Sequence, residues 1–342
     1  TTRMRCRMGA CAGDELMPVS AVAGRYRVCE RTVARAFASY AGAELATLSE
    51  HAPAARAAGV DEFRRGKPAT GTDPDTGEQA KTRSEWFTHL ADLDSGGTID
   101  LAEGRTAAVE AGLIKRNPAR LSGLRYQAMD CSNTYRSGAP EGLILVADPF
   151  HLVKIANRKI DDAFRRLGYR TRKGHADPGL PRPLRNMLRY HAEDVSQEHL
   201  AKITAILGAT DAGCQIMCCW IAREELRRLL ALRITRTSPA PSAVRDRLAT
   251  FYLACAEAAE VPEVTSLAKT ISKWQEPVIN AVLTGYSNAK SEAHNRTAKL
   301  VARTARGFAC PENQKQRVHM ATTRKLRRDI RRCRSQNVAG PW

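Results

Sequence analysis

The sequence predicts an α/β protein: a mixed sheet interleaved with helices, a short helix pair ahead of it and a long all-helical block behind it. Three observations carry this. Between residues 59 and 151, short apolar runs broken by Gly, Pro and Asp read as strand, strand, strand, helix, strand, helix, strand. After His151 no strand signal interrupts a series of helical patterns. The balance of 54 basic against 36 acidic residues, a net charge of +18 with 43% apolar residues, describes a folded chain built to meet a polyanion. It excludes an acidic or neutral enzyme and a disordered tail.

The opening stretch TTRMRCRMGACAG has no apolar core of an export signal, and no run of eighteen apolar residues occurs anywhere. Cys6 and Cys11 form a lone C-x4-C pair. Two cysteines cannot close a tetrahedral zinc site, so residues 1–15 read as the end of a longer unit, or as plain thiols. The ten cysteines form no disulfide framework, which points to a reducing, cytoplasmic setting. Over 18–40, VSAVAGRYRVCERTVARAFASY shows two short helical patterns broken between Arg25 and Cys29, with Val22, Val28, Val33 and Phe37 able to close a small core. This is the outline of a helix-turn-helix. Its second helix, from near Glu30, would offer Arg31, Thr32 and Arg35 to DNA; an ordinary amphipathic helix pair is the alternative. The Ala-rich stretch 41–59 continues as helix and then linker.

GVDEF at 59–63 reads as the first strand, followed by a Gly/Pro/Asp/Thr stretch to Thr82. WFTHLADLD and GTIDLAEGR, with Asp94, Gly96 and Gly97 between them, form a hairpin. A helix over 105–120, the strand YQAMDCS, a short helix and the strand LILVADPFH complete the core, the last apolar enough to be buried on both faces. An antiparallel hairpin followed by crossovers is a mixed α/β layer. Helices follow at 151–168, 193–207, 211–234, 242–259, 264–284 and 287–306, with breaks at Pro178, Pro181, Pro183, Pro239 and Pro241. The end, RKLRRDIRRCR at 324–334, carries seven Lys/Arg in eleven residues and reads as a flexible phosphate-binding arm, with a solvated helix as the alternative.

Asp61, Asp130 and Glu292 each sit beside apolar runs where a strand end or helix can aim a carboxylate at one point. Clustered carboxylates repel unless a hard cation neutralises them, and two such ions suit phosphodiester chemistry. At 100° per residue, Glu292, Asn295, Arg296, Lys299, Arg303 and Arg306 share one third of their helix, with Ala298, Val301 and Ala305 opposite. A stripe of four cations, an amide and a single acid suits a phosphate backbone. Trp220, Trp274 and the Cys218–Cys219 pair read as core, and His89, His191 and His294 as ordinary histidines.

With these residues in view, the chain resembles the DDE-type bacterial insertion-sequence transposases of the ISL-three family. The resemblance rests on VDEF, the EGR of 103–105, MDCSNTYR, LVADPFHLVKIAN, EELRRLL and TGYSNAKSEAHNRTAKLVARTARGF, with PENQKQR and TTR after it. It implies an RNase H-like mixed sheet interrupted by a large all-α insertion and preceded by a helix-turn-helix. The expected divisions are 1–15, remnant of a zinc-binding region; 16–58, DNA-binding helix-turn-helix; 59–151, first part of the catalytic core; 152–284, helical insertion; 285–310, last core helix; 311–342, basic tail. The family's acidic triad falls on Asp61, Asp130 and Glu292, which would be catalytic and hold two Mg²⁺ or Mn²⁺ ions. Asp148 is the rival for the second place, and Asp148 and His151 are secondary candidates. Zinc belongs only to a longer native form. Arg31, Thr32, Arg35, Asn295, Arg296, Lys299 and Arg303 would meet DNA. The sequence departs from the family at Pro149, where His is usual, and at Ala293, where Gly is usual. The implied activity is metal-dependent cleavage and strand transfer on double-stranded DNA, both terminal inverted repeats and target, by a homo-oligomer on the nucleoid and without a membrane. A catalytically inactive DNA-binding protein and a simple metal nuclease are the competing expectations.

Overall fold

The computed structural model describes residues 2–65, 70–72, 79–81, 85–168, 184, 187–211, 213–234, 238–305, 307–308 and 310–338. Part of the turn-rich stretch to Thr82, together with Pro178, Pro181, Pro183 and Arg306, lies outside the described residues. The chain divides into two compact units, Thr1–Ile144 with Ser287–Trp342, and Leu145–Tyr286.

The first unit opens with three helices, α1 (Thr2–Gly13), α2 (Val19–Tyr26) and α3 (Glu30–His51). α2 ends where Arg27 adopts a left-handed conformation, φ 52°, and its N–H bonds back to Ala23 and Gly24. The expected Val22, Val33 and Phe37 core is present, enlarged by Met8, Cys11 and Ala12 from α1. Cys6 and Cys11 are therefore residues of a helix, Cys6 exposed and Cys11 buried in this core.

The sheet follows: β1 (Ala57–Arg64), a separate short hairpin of β2 (Thr70–Thr72) and β3 (Gln79–Lys81), then β4 (Trp86–Asp92), β5 (Thr98–Glu103), α4 (Ala107–Lys115), β6 (Tyr126–Met129), α5 (Asn133–Gly138) and β7 (Ile144–Ala147). The large sheet has the order β5-β4-β1-β6-β7, antiparallel through β4 and parallel from β1 to β6. Apart from the β2–β3 hairpin, this is the order of elements expected from the alternating pattern. Asp92 builds the hairpin turn, its Oδ1 accepting the N–H groups of Asp94 and Ser95 and its Oδ2 the Ser95 hydroxyl and, at 3.1 Å, the Arg120 guanidinium.

Glu110 of α4 is fully buried, with Gln127 of β6 donating to its Oε1. A Cβ on Gly138 would come within 2.4 Å of its Oε2. Burial pushes its carboxyl up to about 8, the Gln127 hydrogen bond pulling the other way. Unfolded, the group titrates near 4.5. Between those two values the native chain keeps a proton that the unfolded chain has lost, so its contribution to stability declines as pH rises from about 4.5 through 8. Glu110→Gln, which cannot ionise, is expected to match the parent near pH 5 and to exceed it at pH 9 by about 2–4 kcal/mol in thermal or denaturant unfolding. Equal pH profiles for both proteins would refute this.

The second unit is helical: α6 (Pro149–Arg166), α7 (Gln197–Thr210), α8 (Gln215–Ala231), α9 (Pro241–Ala256), α10 (Pro262–Lys273) and α11 (Gln275–Thr284). The single helix expected over 264–284 is two, parted at Trp274. Asp211 caps α8, its carboxylate accepting the N–H groups of Gln215, Ile216 and Met217 at 2.7–3.1 Å. The EELRRLL motif is structural here: Glu224 pairs with the buried Arg223 and with Arg227, Glu225 with Arg228 and Arg247. Its leucines Leu226, Leu229 and Leu230 are buried. Trp220, Trp274 and Cys219 are buried too, as expected of core residues.

The chain re-enters the first unit as α12 (Ala289–Thr304), α13 (Pro311–Thr322) and α14 (Arg324–Val338). This corrects the expected flexible tail. Arg327, 2% exposed, binds Asp14 and Glu44, and Arg331 joins the same two acids, so two of the tail's cations hold the end of the chain to the N-terminal helices. Among the described residues no helix is long and apolar enough to cross a membrane.

Candidate active site

β1 is buried from Ala57 to Asp61, and α12 lies along it. Gly59 makes that approach close. A Cβ there would stand 2.4 Å from both Asn288 Oδ1 and Ser291 Oγ and 2.9 Å from Leu93. With the glycine, Asn288 donates to the Val60 carbonyl at 2.8 Å, and one helical stretch later Asn295 donates to Asp61 Oδ2 at 2.7 Å and to the Glu62 carbonyl at 3.3 Å. Ala298 and Val301 then pack on Phe63 and Phe87. Lys290 reaches the Leu93 and Asp94 carbonyls, tying the start of α12 to the hairpin turn.

Asp61 is 8% exposed, and its second oxygen accepts the Glu62 N–H at 2.8 Å. Glu292 precedes Asn295 by three residues on α12, and positions three apart are neighbours on a helix surface. Its carboxylate is partly exposed, with Arg296 at 3.4 Å. Asp130 follows β6, whose Ala128 is the register partner of Gly59; two residues further along each of these parallel strands come Asp130 and Asp61. In the second unit, Asp148 is buried and caps α6, accepting the His151 N–H and pairing with its Nδ1 at 2.8 Å.

Arg296, Lys299 and Arg303 are exposed along α12, as expected. Asn295 is not among them. It is 7% exposed and turned onto the sheet, because its amide is held by Asp61 and the Glu62 carbonyl. This corrects its place on the cationic stripe. Arg31 and Arg35 are exposed on α3, while Thr32 is partly buried with its hydroxyl on Cys29 Sγ at 3.2 Å.

The structure adds groups that sequence patterns did not mark. Tyr135 of α5 donates its hydroxyl to Glu62, and burial followed by this carboxylate pushes the phenol well above its ordinary range. His89, the register partner of Asp61, shares a 3.0 Å hydrogen bond between its Nε2 and His294 Nδ1, and His294 Nε2 meets the Gly96 carbonyl at 2.9 Å. Burial holds both imidazoles below their usual range. They are buried hydrogen-bonding partners between β4, α12 and the hairpin turn. Being 205 residues apart, they carry no local signature that could reveal the pairing.

A family model described as a transposase, of the DDE type named for ISL-three elements, matches residues 78–318. That span includes Asp130, Asp148 and Glu292 and begins after Asp61. No curated protein matches. Among solved structures, the Drosophila P element transposase strand transfer complex is similar at 8% identity and a TM-score of 0.45, over 95% of this chain and 91% of that one.

Proposed function

From the premise that this chain belongs to the ISL-three type of DDE transposase family, we propose that it cleaves a phosphodiester at the ends of a mobile DNA element and joins the freed 3′-hydroxyl to target DNA. Asp61, Asp130 and Glu292 are its catalytic carboxylates. The observation that carries the reading is the Asn295–Asp61 hydrogen bond, which seats the Glu292 helix against the strand bearing Asp61.

The donor set suits a hard divalent cation. It is all carboxylate oxygen, the donor type such an ion prefers. Mg²⁺ or Mn²⁺, as a pair of ions when bound, would supply Lewis-acid stabilisation of the attacking and leaving oxygens. The rest belongs to the chain. Asn295 fixes the Asp61 carboxylate, and Arg296, Lys299 and Arg303 hold the DNA backbone beside Glu292 without reading sequence. The α2–α3 pair acts as a helix-turn-helix that reads the terminal repeats through Arg31, Thr32 and Arg35. Water attacks the scissile phosphorus and the bond to the 3′-oxygen breaks; that hydroxyl then attacks a target phosphodiester and displaces a second 3′-oxygen. Asp148 and His151 of the second unit contact the DNA.

The test is a strand-transfer assay with terminal-repeat duplex and Mg²⁺. Asp61→Ala, Asp130→Ala and Glu292→Ala are each expected to lose about 10³-fold or more, with DNA affinity kept or raised. Activity that survives Asp130→Ala but not Asp148→Ala would move the second carboxylate to Asp148. Cleavage without joined products, equal on DNA lacking the repeats, would identify a nuclease. Tight DNA binding with neither product would identify an inactive binder.

A further inference from the structure

The EGR motif at 103–105 has no part in the carboxylate site. Gly104 ends β5 at φ 103°, a backbone conformation that favours glycine, and a Cβ there would stand 2.9 Å from Val109. Its N–H bonds to the Trp86 carbonyl at 2.7 Å, and its carbonyl accepts the Thr88 hydroxyl at 2.8 Å. The turn so fixed carries Arg105 over the Trp86 ring, its guanidinium carbon 4.6 Å from the ring centre. From the neighbouring strand Arg64, the register partner of Trp86, lies over the same ring at 5.1 Å.

Two exposed guanidinium groups therefore share one partly buried indole. Stacking removes much of the side-chain freedom an arginine must give up on binding, and it leaves the planar N–H fork available for a bidentate contact. Neither Arg64 nor Arg105 forms an ion pair with a carboxylate among the described residues. Glu85, next to Trp86 in the chain, is taken by Arg65, and Glu62, on the same face of β1 as Arg64, accepts the Tyr135 hydroxyl. The contrast between adjacent arginines is informative. Arg65 uses its donors internally, on Glu85, the Phe308 carbonyl and Gln314, whereas Arg64 is directed to the ring. Strand alternation puts Arg64 on the face of β1 that bears Glu62, opposite Asp61 and Phe63.

We infer that Arg64, Trp86 and Arg105 form a second contact for the DNA phosphodiester backbone, on the sheet face opposite the Asp61 carboxylate. Like charges gathered on one ring repel, and a phosphate removes that repulsion while matching the geometry of a guanidinium fork. The inference rests on the DNA-processing function proposed above. The contact is indifferent to sequence, since phosphates carry none.

The test compares the whole protein with the Arg64→Gln/Arg105→Gln pair in fluorescence-anisotropy titrations of a terminal-repeat duplex and of a scrambled duplex across a salt series. The variant is expected to bind both duplexes about 5- to 20-fold more weakly at 0.1 M salt, with the slope of log K against log salt reduced by about 2. Trp86→Phe should keep most of the affinity and Trp86→Ala lose part of it at unchanged net charge. Melting temperatures serve as the control for folding. Unchanged affinity and slope in a folded variant, with the parent binding DNA, would overturn the inference and leave these arginines to an acidic protein surface. A parent that binds neither duplex would instead remove the DNA-processing reading itself.

Discussion

Gly59→Ala is expected to lower strand-transfer activity by about 10²-fold or more while leaving the protein folded and able to bind DNA. The added methyl carbon would stand 2.4 Å from Asn288 Oδ1 and from Ser291 Oγ, distances no carbon can hold. Both obstacles are side-chain atoms, but neither can swing away easily. Ser291 is fully buried, and Asn288, 2% exposed, is anchored to the Val60 carbonyl. The strand has neighbours on both sides in the sheet, so the strain is relieved mainly by shifting α12 outward. A shift of some tenths of an ångström at Ser291 passes along a stiff helix to Glu292 and Asn295, and misplacement by about 1 Å in a catalytic constellation can cost 10²-fold. The stability cost is that of overpacking, about 1–3 kcal/mol. Activity, melting temperature and duplex affinity measured on one preparation separate these effects. A variant with parental activity would show that the close approach of α12 to β1 has no role in catalysis.

The same contact shows where sequence reasoning succeeds and where it stops. The α/β order was legible because alternation, the Asp94–Gly97 turn and the short apolar blocks are local signals. Asp61 and Glu292 stand out in the sequence as carboxylates beside apolar runs, and their catalytic role is the proposal made above. The face of α12 was only partly so. Helical spacing places Ala298 and Val301 inward correctly, but Asn295 lies at the border between faces, and its partner Asp61, 234 residues earlier, decides the matter. The His89–His294 pair and the Arg64–Trp86–Arg105 stack were hidden for the same reason: each side chain is unremarkable until the fold brings its partner. The N-terminal helix α1 is hard to read from TTRMRCRMGACAG because glycines and arginines interrupt its apolar face.

The C-terminal helix yields the second large effect. Arg327→Ala is expected to destabilise the first unit by about 2–4 kcal/mol, whereas Arg331→Ala should cost less than about 1 kcal/mol. A dense run of cations reads as a solvated arm, yet Arg327 is 2% exposed and spends its fork on Asp14 at 2.7 Å, Glu44 at 3.1 Å, the Met320 carbonyl at 2.9 Å and the Thr323 hydroxyl at 3.2 Å. Removing it leaves Asp14 and Glu44 facing each other with only the half-exposed Arg331 between them. Burial alone would raise the Asp14 carboxyl, but the Tyr40 hydrogen bond and the charges of Arg327 and Arg331 outweigh it and hold the group below its ordinary value. Such a group stabilises the native chain above its unfolded pKa and loses that contribution as pH falls through the depressed folded value. Without Arg327 part of that pull is gone while the Tyr40 hydrogen bond remains, so the variant's deficit should be largest at neutral pH and shrink in acid. Arg327→Lys should recover only part, since one ammonium cannot serve four acceptors in a fixed fork. Limited proteolysis gives an independent readout: the parent should resist cleavage within 324–334, and Arg327→Ala should be cut there readily. Equal protection in both proteins would mean that apolar contacts, and not this ion cluster, hold α14 against the N-terminal helices.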